Sequence, residues 1–401
     1  MAKVLSLYFH VHQPNRLRKF SIYHDSHRSI RKAYFDDGLN KEIFLRVTKK
    51  CYLPATKLLF QNLVEYEDRF RVAFSITGVW VEYAKRWAPA LLDLFRAMVD
   101  SGHVTLLGET YYHSLASLYE DKTEFVEQVK DHKTLIKDIF GKEPKVFRNT
   151  EAIYDNSIAQ TVKKMGFNGM ITEGADHILN GRSPNHIYRD RDKKLPVILR
   201  NFKFSDDIAF RFSARSWEGW PLTAEKFANW VKQAPGDLAT VYVDYETFGE
   251  HQWPETGIHK FLQDLPKEVL KRDIDFLTPL MCIKRFKPKG ELDVPLAISW
   301  ADQSRDVSTW LGNPLQQQCF DELRDMEKMV KETKDEELLH TWRLLQTSDN
   351  LYYLSTKTQA DGEVHRYFSP YGSPYDAFVN YVNIIRDLKH RTEGDNEKGR
   401  L

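Results

Sequence analysis

The 401-residue chain carries 58 basic and 57 acidic side chains, a net charge of +1, which excludes the basic footprint of a nucleic-acid binder and the acidic tail of a solvating protein. Its three cysteines, Cys51, Cys282 and Cys319, have no CxxC spacing, which argues against a disulfide framework and a cysteine zinc site. No stretch approaches the ~20 apolar residues of a membrane span, so a cytoplasmic protein with a neutral or small partner is expected.

Residues 4–9 predict a first strand, which delivers His10, His12 and Gln13 before Pro14 stops it. Histidines interrupt this apolar run and no small-residue cleavage site follows, so it reads as a strand and not a signal peptide. Residues 15–40 show no sustained period and predict a long loop over the site. A helix is expected over 41–60, broken or kinked at Pro54. The second strand, 70–76, ends in Thr77-Gly78-Val79-Trp80, and the helical spacing of Leu91, Leu94 and Met98 closes at Gly102. The third strand, 104–107, empties into Gly108-Glu109-Thr110-Tyr111-Tyr112-His113, and an amphipathic helix over 122–140 closes at Gly141.

The fourth strand, 145–148, ends in Asn149-Thr150-Glu151. A short helix through Ile158, Val162 and Met165 then stops at Gly166, and the fifth strand, 169–172, ends in Glu173. Residues 186–201 read as a strand or a hairpin around Asp192. Residues 204–222, with Ser216-Trp217-Glu218-Gly219-Trp220, read as a functional loop, followed by a helix from Thr223 through Trp230. The β-branched run 238–243 forms a buried strand that ends abruptly in Asp244 and Glu246 before a Phe248-Gly249 turn.

The recurring order of strand, acid, helix, glycine and strand predicts parallel β/α units, about seven of them, and closure into a barrel protects the edges of that many strands. From Pro314 onward, Leu315, Cys319, Leu323, Met326 and Val330 recur at helical spacing, as do Leu338, Trp342, Leu345 and Tyr352, then Phe378, Tyr381, Ile385 and Leu388. Three helices are expected there, so residues 1–313 form an α/β catalytic barrel and 314–401 a helical domain packed on it.

The acids gathered at strand ends are Glu109, Glu151, Glu173, Asp244 and Glu246. Cleaving a glycosidic bond needs one ionised carboxyl group and one protonated, held on different strands so that they span the sugar; this pairs the fourth strand with the seventh. Aromatic residues make up 13% of the chain. Trp217, Trp220, Trp253 and Trp300 are candidate stacking platforms, because an indole face packs on the C–H face of a pyranose. The His10-x-His12 pair leaves an alternative open, a metal-dependent amidohydrolase or deacetylase, since alternation aims both rings one way. Against it, no further histidine sits at another strand end in a ligand-like position, and the rings serve equally well as hydrogen-bonding residues on a cleft floor.

Five segments in order, HVHQP (10–14), LLGETYYHS (106–114), FRNTEAIYDN (147–156), VDYETFGEHQ (243–252) and SWADQSRDVSTWLGN (299–313), resemble the motifs of glycoside hydrolase family 57. The GET form of the second motif resembles the compact α-amylase-like branch. The resemblance implies an incomplete seven-stranded (β/α) barrel followed by a helical region, and retaining chemistry on α-1,4-glucans by hydrolysis or by 4-α-glucanotransfer, with no cofactor and no metal. It implies Glu151 as nucleophile and Asp244 as general acid/base. His10, His12, Gln13, Glu109, Glu246, His251, Trp300 and Asp302 are then expected to contact substrate, an α-glucan or maltooligosaccharide.

Overall fold

The structure is a computed structural model that describes residues 3–21, 29–358 and 365–398, without the side chains of 395–398. Ten strands are present among these residues: β1 (Val4–Val11), β2 (Val72–Ile76), β3 (Val104–Leu106), β4 (Val146–Arg148), β5 (Gly169–Glu173), β6 (Ile187–Asp190), β7 (Pro196–Arg200), β8 (Leu238–Asp244), β9 (Asp275–Phe276) and β10 (Glu291–Leu292). All eight residues of β1 are buried, as a strand covered on both faces requires, which is why its sequence runs VLSLYFHV without strict alternation.

Two sheets form, one in the order β3-β2-β1-β8 and one in the order β10-β6-β7-β5-β4. A parallel bridge from Gly108 to Phe147 joins β3 to β4, and the Asn201 amide donates to the Thr240 carbonyl across the gap between β7 and β8, 2.9 Å. The parallel strands β8, β1, β2, β3, β4, β5 and β7 thus run around an incomplete (β/α) barrel. The hairpin expected around Asp192 is the antiparallel pair β6 and β7. At the first seam a side chain would be in the way: a Cβ on Gly108 would lie 2.7 Å from the Phe167 ring.

Register fixes what reaches the C-terminal edge. His10 pairs with Ser75 on one side and with Asp244 on the other. Below that row the barrel is filled by Val4, Tyr8, Ala73, Val146, Ile171, Ile198, Leu238 and Tyr242, with the Tyr8 and Tyr242 rings edge to face at 4.8 Å. The outward faces pack on helices, and this second cluster runs without interruption into Leu338, Trp342, Tyr381 and Leu388 of the C-terminal region. An ion-pair group clamps the same junction: buried Arg343 binds Glu124, Glu127 and Asp131 of the helix Thr123–Phe140.

Several elements differ from expectation. The 15–40 stretch is no plain loop, since Ile30–Tyr34 and the start of Asp37–Val47 are helical; its residues 22–28 lie outside the described part. The break expected at Pro54 falls just before it, in the π-helical turn Thr48–Tyr52. Pro54 then sits in the first turn of Leu53–Tyr66, where a missing N–H costs nothing. Residues 204–209 of the expected loop belong to the helix Phe202–Ala209, capped by Asn201. The C-terminal region has more breaks than its apolar spacing shows: Pro314–Asp325, Glu327–Thr333, Glu336–Leu345, Ser348–Tyr352 and Pro374–Lys398. Lys334 ends one of these in a left-handed cap, and Asp335 starts the next by accepting from Leu338 N.

Candidate active site

A cavity of about 520 Å³ opens at the C-terminal edge of the parallel strands, between β1, β8, the turn after β4 and the C-terminal helices. Glu151 enters it from the turn Thr150–Ala152 that follows β4. Glu151 and Ala152 both have left-handed backbone, φ 56° and 53°, a conformation that L-residues adopt only when their surroundings hold it. Here Ala152 N donates to Asn149 O at 2.9 Å, and the Asn149 side chain donates to Ile153 O at 3.0 Å. The Glu151 carbonyl accepts from Trp300 N at 3.1 Å. Its carboxylate accepts two side-chain bonds, Ser348 Oγ to Oε1 and Trp300 Nε1 to Oε2, each 2.7 Å. Burial pushes Glu151 up from the ordinary carboxylate range, while the Arg148 guanidinium and these two donors pull it back.

Asp244 ends β8 on another wall of the cavity, and among the described residues no protein group donates to its carboxyl. Burial, only partly offset by Arg148 and reinforced by the charge of Glu151, pushes it up to about 7. Glu246, next on the same strand end, accepts from Tyr52 Oη, which in turn accepts from Gln13 Nε2 at 3.2 Å. Burial and the neighbouring Asp244 raise Glu246 to about 8. The backbone turns sharply after it at Gly249, φ 137°, where a Cβ would fall 2.1 Å from the Lys50 carbonyl oxygen.

Three imidazoles floor the cavity. His10 Nε2 meets His113 Nε2 at 3.0 Å, and His12 Nε2 meets Asp349 Oδ2 at 3.1 Å. The His12 and His113 rings stack, 4.1 Å between centroids and 15° between planes. His113, which the sequence reading did not count as a partner of His10 and His12, therefore joins them. Although His10, Glu109 and His113, and likewise His12, His113 and Asp349, cluster closely enough to suggest a metal, imidazole lone pairs lie in the ring plane. In stacked rings they run side by side, and between His10 and His113 they face each other, so neither pair converges on one ion as zinc ligands must. This geometry does not favour the amidohydrolase alternative. Asp349 is held below its ordinary range against the opposing effect of burial, chiefly by hydrogen bonds from His12 and Thr347.

Of the residues singled out in the sequence, Glu151, Asp244, His10, His12, Gln13, Glu246, His251, Trp300 and Asp302 line this cavity. Glu109 does not: it is wholly buried beneath His10, 3.7 Å from Nδ1 and 3.9 Å from Arg148 Nη1, and among the described residues neither carboxyl oxygen has a hydrogen-bond partner. Burial raises it to about 8, more than Arg148 draws it down. Its strand end is turned inward at the Gly108 seam, away from the cavity. Trp217, Trp220 and Trp253 also lie off the cavity. Trp217 packs edge-on against Trp230 at 5.9 Å, Trp220 lies under Arg215, and Trp253 is 60% exposed near Lys50. Trp300 is no free platform either. Its N–H holds Glu151, and the Arg148 and Arg200 guanidinium groups lie over its ring at 4.7 and 5.7 Å. Asp302 is taken up by Lys357 and Thr309, with His365 at 3.4 Å; against burial, these contacts hold its carboxyl well below the usual range.

Ser348, Asp349, Arg148, Phe210 and Phe368 were not picked out in the sequence. The polar run Gln346-Thr347-Ser348-Asp349, which interrupts the apolar spacing, was the available signal for the first two. Phe210, 61% exposed, and Phe368, 40% exposed, present aromatic surface to the cavity, and the Phe368 ring also meets His251 and Tyr367 edge to face.

An incomplete (β/α) barrel with carboxyl groups gathered at its strand ends defines a class of enzyme built to act within a polar cleft. The profile of Glycosyl hydrolase family 57 matches residues 6–295, and the chain belongs to that family and is an enzyme of it. A Methanocaldococcus jannaschii protein, provisionally named an alpha-amylase, is 45% identical over 398 residues, covering 96% of this chain and 84% of its own length. An alpha-amylase of Pyrococcus horikoshii is 22% identical over 74% of this chain, which spans only 45% of that longer protein. Among solved structures, a branching enzyme of the same family from Thermococcus kodakaraensis superposes with a TM-score of 0.71 at 15% identity, over 98% of this chain and 90% of that one. That likeness concerns the fold.

Proposed function

We propose that this chain is a retaining, α-amylase-like hydrolase of α-1,4-glucans, in which Glu151 attacks the anomeric carbon while Asp244 protonates the departing oxygen. Water then opens the glycosyl-enzyme, with Asp244 acting as base. The observation that carries this reading is the unequal provision for two carboxyl groups facing one cavity. Glu151 is held by two donors and the nearby Arg148, a setting for an anion, whereas Asp244 receives no donor among the described residues and burial pushes it up to about 7. The named activity of the 45%-identical relative supports the substrate class.

His10, His12, Gln13, Glu246 and His251 would bind sugar hydroxyls, and Phe210 and Phe368, in place of the tryptophans expected, would stack on sugar faces. In this reading the 1–313 barrel supplies both reacting acids, and the 314–401 region completes the site with Ser348 and Asp349. Three cysteines, all free and buried, support a cytoplasmic setting; among the described residues no helix is long and apolar enough to cross a membrane.

The test is product analysis on maltoheptaose and soluble starch, with wild type beside Glu151→Ala and Asp244→Ala, with and without a chelator. Shorter maltooligosaccharides from wild type alone, unaffected by chelator, are expected. Products longer than the substrate would make the chain a 4-α-glucanotransferase, and activity abolished by chelator would return attention to the histidines.

A further inference from the structure

Behind Glu151 the buried polar groups are joined end to end. Tyr8 Oη lies 2.5 Å from Ser75 Oγ, Ser75 Oγ 2.9 Å from His10 Nδ1, and His10 Nε2 3.0 Å from His113 Nε2. His113 Nδ1 lies 2.9 Å from Ser348 Oγ, which donates to Glu151 Oε1 at 2.7 Å. Every member upstream of Glu151 is buried.

The direction of each bond follows from the ends. An ionised Glu151 can only accept, so Ser348 spends its one proton there and must accept from His113 Nδ1–H. His113 Nε2 is then bare and accepts from His10 Nε2–H. The bare His10 Nδ1 accepts from Ser75, and Ser75 accepts from Tyr8. A second contact sets the same tautomer independently: Arg148 Nη1, which can only donate, faces His113 Nε2 at 3.5 Å. Protonating His113 would put two N–H groups head to head at 3.0 Å, and protonating His10 would place a new N–H at Nδ1 against the Ser75 hydroxyl that donates to it. Burial, with the nearby Arg148 and the neighbouring histidines, lowers His10 and His113 well below the ordinary histidine value, so both stay neutral in the working range.

We propose that Tyr8, Ser75, His10, His113 and Ser348 form one directional hydrogen-bond chain whose last donor holds Glu151 ionised and aimed, which makes Ser348 and His113 positioning residues for the nucleophile. The inference rests on the role given to Glu151 above. A donor to the charged form lowers a carboxyl pKa, and a chain of donors pointing one way strengthens the last bond. Other groups facing the chain are fixed in place: Arg148 on β4, Trp300, Asp244 on β8, Asp349 and Tyr352 beside Glu151, His12 beside His113, and Glu109 and His132 beside His10.

The experiment is the pH dependence of kcat/KM on maltoheptaose for wild type, Ser348→Ala, Ser348→Thr and Ser75→Ala. Ser348→Ala is expected to move the acid limb up by about one unit, a loss of ~10-fold below it. Ser348→Thr, which keeps the hydroxyl, should restore the limb, and Ser75→Ala should move it in the same direction by less. Titration of Glu151 itself, by carbon-13 NMR of carboxyl-labelled glutamate with Glu151→Gln as the subtraction control, reads the same shift without turnover. A shifted titration in Ser348→Ala supports the chain even if the wild type leaves maltoheptaose untouched, an outcome that would sink the hydrolase reading alone. A Ser348→Ala limb and titration at the wild-type position, or an unmoved Ser75→Ala, overturns the chain.

Discussion

Glu109 and Glu151 end neighbouring strands in similar fashion, an apolar run emptying into a glutamate, yet the structure sends them to opposite fates. After β3 the chain is drawn into the seam at Gly108, and Glu109 is sealed under His10 with neither oxygen hydrogen-bonded among the described residues. After β4 two left-handed residues throw Glu151 out into the cavity, where Ser348 and Trp300 meet it. A strand-end acid is therefore only a candidate. Backbone conformation in the next two residues, and donors arriving from distant parts of the chain, decide which one can react.

This contrast can be broken most forcefully at Glu151. Glu151→Ala should lower kcat/KM for maltoheptaose on the order of 10⁴-fold or more, since removing the nucleophile leaves only binding and the remaining electrostatics. A residual rate within tenfold of wild type would mean that another acid attacks. Next comes Asp244, whose replacement by Asn should cost roughly 10²- to 10⁴-fold on unactivated glucans. The loss should be much smaller for an aryl maltoside whose phenolate departs without a proton. In the wild type, kcat/KM should fall about tenfold per pH unit above about 7, because only protonated Asp244 can act as acid.

Glu109→Gln should have a smaller effect on rate and a distinctive one on stability. Glu109, Asp244 and Glu246 all have native values raised above their ordinary ones, so between about pH 4.5 and 8 the native state holds more protons than the unfolded state. Stability contributed by these groups is complete below that window and is lost as pH rises through it. A Gln at 109 removes one of them, so the fall in Tm from pH 5 to pH 8 should be shallower than in wild type; an unchanged slope would show that Glu109 is ionised throughout. The smallest effect is expected from Trp253→Ala, within about a factor of two in kcat/KM, because that indole stands in solvent away from the cavity. A larger loss would show that the substrate runs beyond the cavity along this side.

Much of this architecture could be read from local pattern. The β/α rhythm placed β1, β2, β3, β4, β5 and β8 to within a residue or two, because buried β-branched runs and glycine stops are set by neighbours in sequence, whereas β7 was only bracketed within 186–201 and the two-residue strands β9 and β10 had no local signal. The acids at strand ends were visible for the same reason. What escaped depends on long-range closure: Gly108 bridging to Phe147, the stack of His113 on His12, and Ser348 reaching Glu151 from 197 positions away. The tryptophans misled because composition shows that aromatic surface exists, not which way a loop carries it. Trp217 went to Trp230, and Trp300 spent its N–H on Glu151, while Phe210 and Phe368, in unremarkable sequence, kept surface toward the cavity.

The central claim is that Glu151 and Asp244 act in two displacements through a covalent glycosyl-enzyme. Proton NMR of the reducing end released from maltoheptaose, followed before mutarotation equilibrates it, tests that most directly. The account predicts that the α-anomer appears first; a first-formed β-anomer would mean a single inverting displacement by water and would contradict it.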